Sequence, residues 1–272
     1  MVFEEKLNNV KTPCLHSTAI GSDPSRSTQS LNMAFGVANA KGLRNYMEDR
    51  HTIVSPFFLL GSDGNVLPED GIARSFAAVF DGHNGTLAAD IAANRLHDIL
   101  AREPAFQNES SIAMEPELEM DNIRSSFVNA FETVDNEVLE RCRTEKVRGG
   151  ATGVVLVRMG EMLYAAHCGD SRAVLYRSGR PIRLTEDHKP NLPRERQRVE
   201  SNGGIVDFAH CWRVIIGPKD GRPASGLAVS RSLGDLDFKE PLPLIVPTPD
   251  VVSERLMEDD RFVILASDGL VS

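Results

Sequence analysis

Apolar runs bounded by carboxylates recur through this chain. Glu48-Asp49 leads into the run that begins at His51, and the run ending at Phe80 passes directly into Asp81-Gly82-His83. EMLYAAHC is followed by Gly169-Asp170-Ser171, and RFVILA ends on Ser267-Asp268-Gly269. Any one Asp-Gly pair at a strand end reads as a turn, because glycine accepts positive φ and aspartate bonds nearby backbone. Several apolar strands that deliver carboxylates to one end pose a different problem. Negative charges so gathered must protonate or be neutralised by a cation. Hard oxygen ligands suit Mg²⁺ or Mn²⁺, and a carboxylate-rich pair of such ions is a hydrolytic site.

The rest of the chain reads as α+β. MAFGVANA (33–40) alternates and predicts a strand, HTIVSPFFLL (51–60) predicts another, and Asp63-Gly64 supplies a turn. Ala88, Ala92, Leu96, Ile99 and Leu100 line one face of a helix capped by Asn84. Ile123, Phe127, Ala130, Phe131, Val134 and Val138 fall at helical spacing in a second. The Glu-rich segment 103–120 between them reads as a surface loop. From Gly150 onward, short strands follow one another: ATGVVLV, EMLYAAHC, RAVLYRSG, WRVII, PLPLIV and RFVILAS. Turns fall at Met159-Gly160 and Ser178-Gly179, and a helix runs from Pro193 to the stop at Gly203-Gly204. No internal repeat or linker follows residue 33, which predicts one domain, 33–272, behind a polar Ser/Thr-rich arm, 1–32.

Charge and cysteine use narrow the function classes. A formal charge of −9 lacks the basic excess of a nucleic-acid or anionic-membrane binder. No run approaches the ~20 apolar residues of a membrane span. The start, MVFEEKLNNV, has neither an apolar signal core nor the glycine needed for myristoylation. Cys14, Cys142, Cys168 and Cys211 are too scattered for a zinc knuckle, which predicts reduced thiols in a cytoplasmic or nuclear protein.

RNYMEDRHT, FAAVFDGHNG, GGATGVV, CGDSRAVL, LTEDHKP, GGIV, LAVSRSLGD and ILASDG resemble, in order and approximate spacing, the motifs of the metal-dependent type-2C protein serine/threonine phosphatases. The resemblance covers about 35 to 270. It implies a β-sandwich of two mixed sheets flanked by antiparallel helices, with the metal site at one end. It also implies hydrolysis of phosphoserine and phosphothreonine in phosphorylated protein substrates, by a monomer using water activated at two Mn²⁺ or Mg²⁺ ions.

Under that resemblance Asp81 bridges the ions and the Gly82 carbonyl joins one of them. Glu48 and Asp49 complete or orient the shell, Asp268 ligates the second ion, and Asp170 a weaker third. Arg44 grips the substrate phosphate, a task suited to the planar guanidinium fork; the structural alternative is a surface ion pair with Glu48 at i+4. His83 protonates the departing oxygen, or is simply hydrogen-bonded beside the ions. Gly149-Gly150, Gly203-Gly204 and Gly234 supply turns, Arg231 pairs with a carboxylate, and His188 lies near the site without a catalytic part.

The sequence departs from the family pattern where it ends. Val271 stands at an aromatic position and Ser272 at that of an aspartate, and the family's following helix and last strand, which carries another metal-ligand aspartate, do not appear. The alternative expectation is therefore a weakly active or inactive phosphatase-like binding module. Pro223-Ala224-Ser225 stands where many relatives carry Val-Asn-Gly, in a loop expected near the site.

Overall fold

The structure, a computed structural model, describes residues 33–107, 116–218, 221 and 223–271. The arm expected at 1–32, Cys14, part of the loop expected at 103–120 and Ser272 lie outside the described residues. The chain opens with β1 (Arg50–Val54), β2 (Arg74–Phe80) and β3 (Gly82–His83), then α1 (Leu87–Leu100) and α2 (Pro116–Glu145). Next come β4 (Gly150–Ala151), β5 (Gly153–Met159), β6 (Met162–Cys168), β7 (Arg172–Arg177) and β8 (Arg180–Arg183). After α3 (Pro193–Ser201) lie β9 (Ile205–Ala209), β10 (Cys211–Ile216), β11 (Ser225–Leu227) and β12 (Leu233–Gly234). The chain closes with α4 (Leu236–Lys239), β13 (Asp250–Arg255), β14 (Asp260–Ala266) and α5 (Asp268–Val271).

A five-stranded sheet in the order β1-β2-β5-β6-β13 lies between two apolar layers. Alternation along β2 sends Phe76, Ala78 and Phe80 to one face, where they join Ala88, Ala92 and Leu96 of α1 and Phe127, Phe131 and Val134 of α2. Val154 and Leu156 of β5 and Leu163 and Ala165 of β6 face the other way, onto Ala173 and Leu175 of β7. With both faces covered, every residue of β5 is buried, which explains its unbroken run GVVLVRM. Each Val, Leu, Phe or Met side chain so placed contributes about 1.5–3 kcal/mol on full burial. The second layer is the three-stranded sheet β14-β7-β8, completing the expected sandwich. A smaller cluster of Val199, Val206, Val214, Phe238, Leu244 and Ile245 packs α3 on the β11-β10-β9 sheet.

Several expectations hold and several are corrected. All six stripe residues of the second helix are fully buried, and the turns after Met159 and at Ser178-Gly179 carry the positive φ they require. The sheets are not mixed: every ladder among the described residues is antiparallel, in distant pairs such as β2–β5 and β6–β13 as well as in the β5–β6 and β7–β8 hairpins, and the parallel contact is an isolated bridge between Arg231 and Val246. MAFGVANA forms no strand; it is mostly exposed, and β1, the edge strand nearest in sequence, pairs with β2. The run at 51–60 stops at Val54, since Pro56 offers no N–H to a ladder. PLPLIV fails for the same reason, with Pro241 and Pro243 leaving one bridge.

Asn84 does not cap α1. It takes a left-handed φ of 56° and the helix begins after Thr86. The segment 103–120 is not loop throughout: a 3₁₀ turn spans Pro104–Phe106 and α2 starts at Pro116. No helix among the described residues is long and apolar enough to cross a membrane.

Candidate functional site

Strand register brings the acidic strand ends together. Arg50 pairs with Phe80, so Asp49 and Asp81 extend beyond the same end of the β1–β2 ladder. Val79 pairs with Val154 and Gly153 with Cys168, which places the turn carrying Asp170 at that end too. In the second sheet Ala266 pairs with Arg172, so Asp268 and Asp170 leave the β14–β7 ladder side by side. The Ser267 hydroxyl donates to Asp49 Oδ2 at 2.9 Å and ties the two sheets across this end. Beneath, Thr152 N–H donates to Asp81 O at 2.9 Å, and the Thr152 and Ser171 hydroxyls bond at 2.6 Å.

The electrostatic consequence falls on Asp81. Burial and then the charges of Asp49, Asp268 and Asp170 push its carboxyl up to about 7. A carboxylate surrounded by carboxylates binds a proton or a cation in preference to remaining bare. Asp170 is buried and meets the Lys189 ammonium, whereas Asp268 is exposed at the first turn of α5. Arg172 forms an ion pair with Asp187 at 2.8 Å and adds positive field toward Asp170 and Asp268. The donor set is all oxygen and charge-rich, which fits a hard divalent cation.

The other expected residues stand around this cluster. Glu48 Oε1 accepts from Gly85 N–H at 2.5 Å, which is not the ion pair with Arg44 considered above. Gly82 lies flat on Glu48: a Cβ there would be 2.6 Å from the Glu48 carbonyl oxygen, so only glycine lets the two segments touch. Arg44 is exposed in the turn before β1, its N–H donating to Lys41 O at 3.1 Å. His83 Nε2 lies 2.9 Å from both oxygens of Asp235. Burial would lower the His83 pKa, but the Asp235 carboxylate outweighs it and the pKa is raised.

Sequence reasoning missed Asp235 and Lys189. Asp235 had a signal: Gly234-Asp235 repeats the Gly-Asp step of Gly169-Asp170 but follows a strand of only two residues. Gly149 and Gly150 prove to be close-approach positions rather than turns; a Cβ on Gly149 would lie 2.7 Å from Asn84 O. Arg231 pairs as expected, its Nη2 with Glu195 at 2.6 Å and its Nη1 with Asp250 at 2.9 Å.

A second group among the described residues has metal-ligand chemistry. One ligand atom each of His167, His188 and Asp250 lie within 4.8 Å of one another. Their hydrogen bonds favour protons there. Gly169 N–H donates to His188 Nδ1 at 3.1 Å, so the neutral ring carries its proton on Nε2, which faces Asp250 Oδ2 at 3.3 Å. His167 Nε2 donates to Glu186 O at 2.6 Å, and Asp250 is already held by Arg194 and Arg231.

The family model for protein phosphatase 2C matches residues 33–272. The chain belongs to the protein phosphatase 2C family. It is 34% identical over 259 residues to protein phosphatase 2C homolog 3 of Schizosaccharomyces pombe, covering 92% of this chain and 55% of that relative. It is 34% identical over 248 residues to protein phosphatase 1B of Bos taurus, covering 88% of this chain and 46% of that relative. The chain thus spans about half the length of these two family members. The crystal structure of serine-threonine phosphatase 2C from Toxoplasma gondii superposes with a TM-score of 0.72 at 26% identity, over 84% of this chain and 75% of that one. The structure of a C. elegans sex determining protein gives a TM-score of 0.64 at 26% identity, over 85% of this chain and 50% of that one. The family is metal-dependent, in keeping with the oxygen-rich donor set at the end of the sandwich.

Proposed function

We propose that this chain hydrolyses phosphoserine and phosphothreonine in proteins with the help of bound Mn²⁺ or Mg²⁺. The observation that carries the reading is the convergence of Asp49, Asp170 and Asp268 on the half-buried Asp81, whose carboxyl burial and these charges push up to about 7. Asp81, the Gly82 carbonyl, Glu48, Asp49 and Asp268 would hold two ions, and Asp170 a third. When bound, such ions supply Lewis-acid polarisation of the phosphoryl group and lower the pKa of coordinated water.

The chain's own residues then divide the remaining work. Arg44, exposed on the turn leading into β1, offers a planar fork that bonds two phosphate oxygens at once. His83, its pKa raised by Asp235 against the effect of burial, carries a proton for the departing serine or threonine oxygen. Gly82 and Gly85 keep Glu48 seated against β3, so the acidic residue before β1 stays in register with Asp81. Free Cys142, Cys168 and Cys211 accord with a reducing compartment, the cytoplasm or nucleus.

The test is phosphate release from a phosphothreonine peptide with and without Mn²⁺. The reading expects metal-stimulated release that Asp81→Asn abolishes; release that ignores both the metal and the substitution sinks it.

A further inference from the structure

Three short strands make a small sheet in the order β12-β4-β3, with Gly150 at its centre. Gly150 pairs with His83 on one side and with Gly234 on the other. His83 and Asp235 therefore sit on opposite flanks of a residue with no side chain. A Cβ at Gly150 would lie 2.3 Å from Asp235 Oδ2, so the carboxylate rests on the space that glycine leaves. Across that space His83 Nε2 meets both Asp235 oxygens at 2.9 Å.

Asp235 is built for this pose rather than placed by chance. It is 2% exposed and holds a left-handed backbone, φ 55° and ψ 51°, a conformation that persists in a residue with a side chain when its surroundings enforce it. The surroundings do. Ser232 Oγ donates to Asp235 Oδ2 at 2.5 Å, and Asp235 N–H donates to Gly149 O at 3.1 Å. One residue earlier, Gly234 N–H donates to Asp135 Oδ1 of α2 at 2.7 Å, and Lys239 clamps the same oxygen at 2.5 Å. A carboxylate so buried is costly without a charged or donating partner, and His83 provides one.

We infer that Asp235 is the positioning residue of the reaction: through the opening at Gly150 it holds the His83 ring by Nε2 and leaves Nδ1 as the nitrogen that hands a proton to the departing oxygen. This rests on the phosphatase reading of His83. As the bond from phosphorus to the serine or threonine oxygen breaks and one to the oxygen of the attacking water forms, one proton moves from Nδ1 to the departing oxygen, and the proton that the water gives up restores His83.

Two substitutions test it on the full chain. Asp235→Asn keeps shape and tolerates the left-handed backbone, while Gly150→Ala leaves both partners in the sequence and fills the opening, its Cβ pressing on the Asp235 carboxylate. Proton NMR of the wild type is expected to show a slowly exchanging His83 ring N–H resonance that both variants lose. A resonance that persists in Asp235→Asn overturns the inference, and the comparison needs no turnover. Kinetics add a readout that a loss of stability does not move. General acid catalysis is worth about 10²–10⁴-fold, so Asp235→Asn should lower kcat on a phosphoserine peptide at least about tenfold more than kcat on p-nitrophenyl phosphate, whose leaving group needs little protonation. His83→Gln should show the same bias. Equal losses on both substrates in Asp235→Asn overturn the inference; no metal-stimulated release by the wild type on either substrate overturns the phosphatase reading, and the ring resonance still decides the seat.

Discussion

Glu195 and Arg231 form a buried two-point ion pair, with Arg231 Nη2 on Oε1 at 2.6 Å and Nε on Oε2 at 3.1 Å. Burial opposes ionisation of Glu195, but Arg231, Arg198 and Ser230 outweigh it and hold the carboxyl down to about 2. Both side chains are nearly closed to water. Removing one charge strands the other, so Glu195→Gln should lower the unfolding free energy by about 3–5 kcal/mol in urea titrations at neutral pH. A loss below ~1 kcal/mol would mean that Asp250 alone satisfies Arg231.

Acid should act first through the histidine stack. The rings of His167 and His188 lie parallel with centroids 4.4 Å apart, and both are buried. Burial, then the neighbouring His188, pushes the His167 pKa down to about 4 from 6.5. A histidine with a depressed folded pKa adds stability that is whole above its unfolded pKa and is lost as pH falls through the window between the two. The window here runs from 6.5 to about 4, and the loss is of order 3 kcal/mol. Urea midpoints measured across it should fall with pH, and His167→Gln should flatten that slope.

Asp81 should show the opposite sign. Its folded pKa is raised, so its contribution declines as pH rises from 3.8 toward 7. Asp81→Asn removes that repulsion, and without added metal the variant should melt several degrees above the wild type at pH 8. Added Mn²⁺ should raise the wild-type Tm and leave the variant nearly unmoved. A variant that melts lower than the wild type without metal would contradict the electrostatic account.

Gly169 should resist substitution. It holds φ at +107°, and a Cβ there would lie 2.5 Å from Thr152 Cβ. Gly169→Ala should therefore cost about 1–3 kcal/mol from backbone strain, with overlap added, read as a lower thermal midpoint. Because Gly169 N–H also donates to His188 Nδ1, the loss should come with a displaced Asp170 turn.

What could be read beforehand was what depends on local pattern. The stripe from Ile123 to Val138, the hairpins at Gly160 and Gly179, and the acidic strand ends all follow from spacing and turn chemistry. What could not be read depends on pairing partners that sequence does not name. MAFGVANA has the alternation of a strand, but alternation only permits a ladder. Pro241 and Pro243 removed donors from a run whose apolar content suggested a strand. Asp235 bonds a histidine 152 residues away, and no periodicity carries that information. The site residues stood out because they repeat one arrangement, acid after apolar strand; their supports, Lys189 and Asp235, do not.

The bond from Ser267 to Asp49 has a consequence for how the protein is made. Its two residues are separated by 218 positions, so the acidic cluster closes only when both extremes of the fold have met. While the polypeptide leaves the ribosome, the helices and the β5–β6 hairpin have local partners, but Asp81 waits for Asp268 until synthesis has passed β14. A nascent chain arrested before residue 260 would hold Asp49, Asp81 and Asp170 at one end of the first sheet but lack the Ser267 tie and the Asp268 charge. Cation affinity of ribosome-bound intermediates should thus step up sharply once β14 and Asp268 have joined the rest.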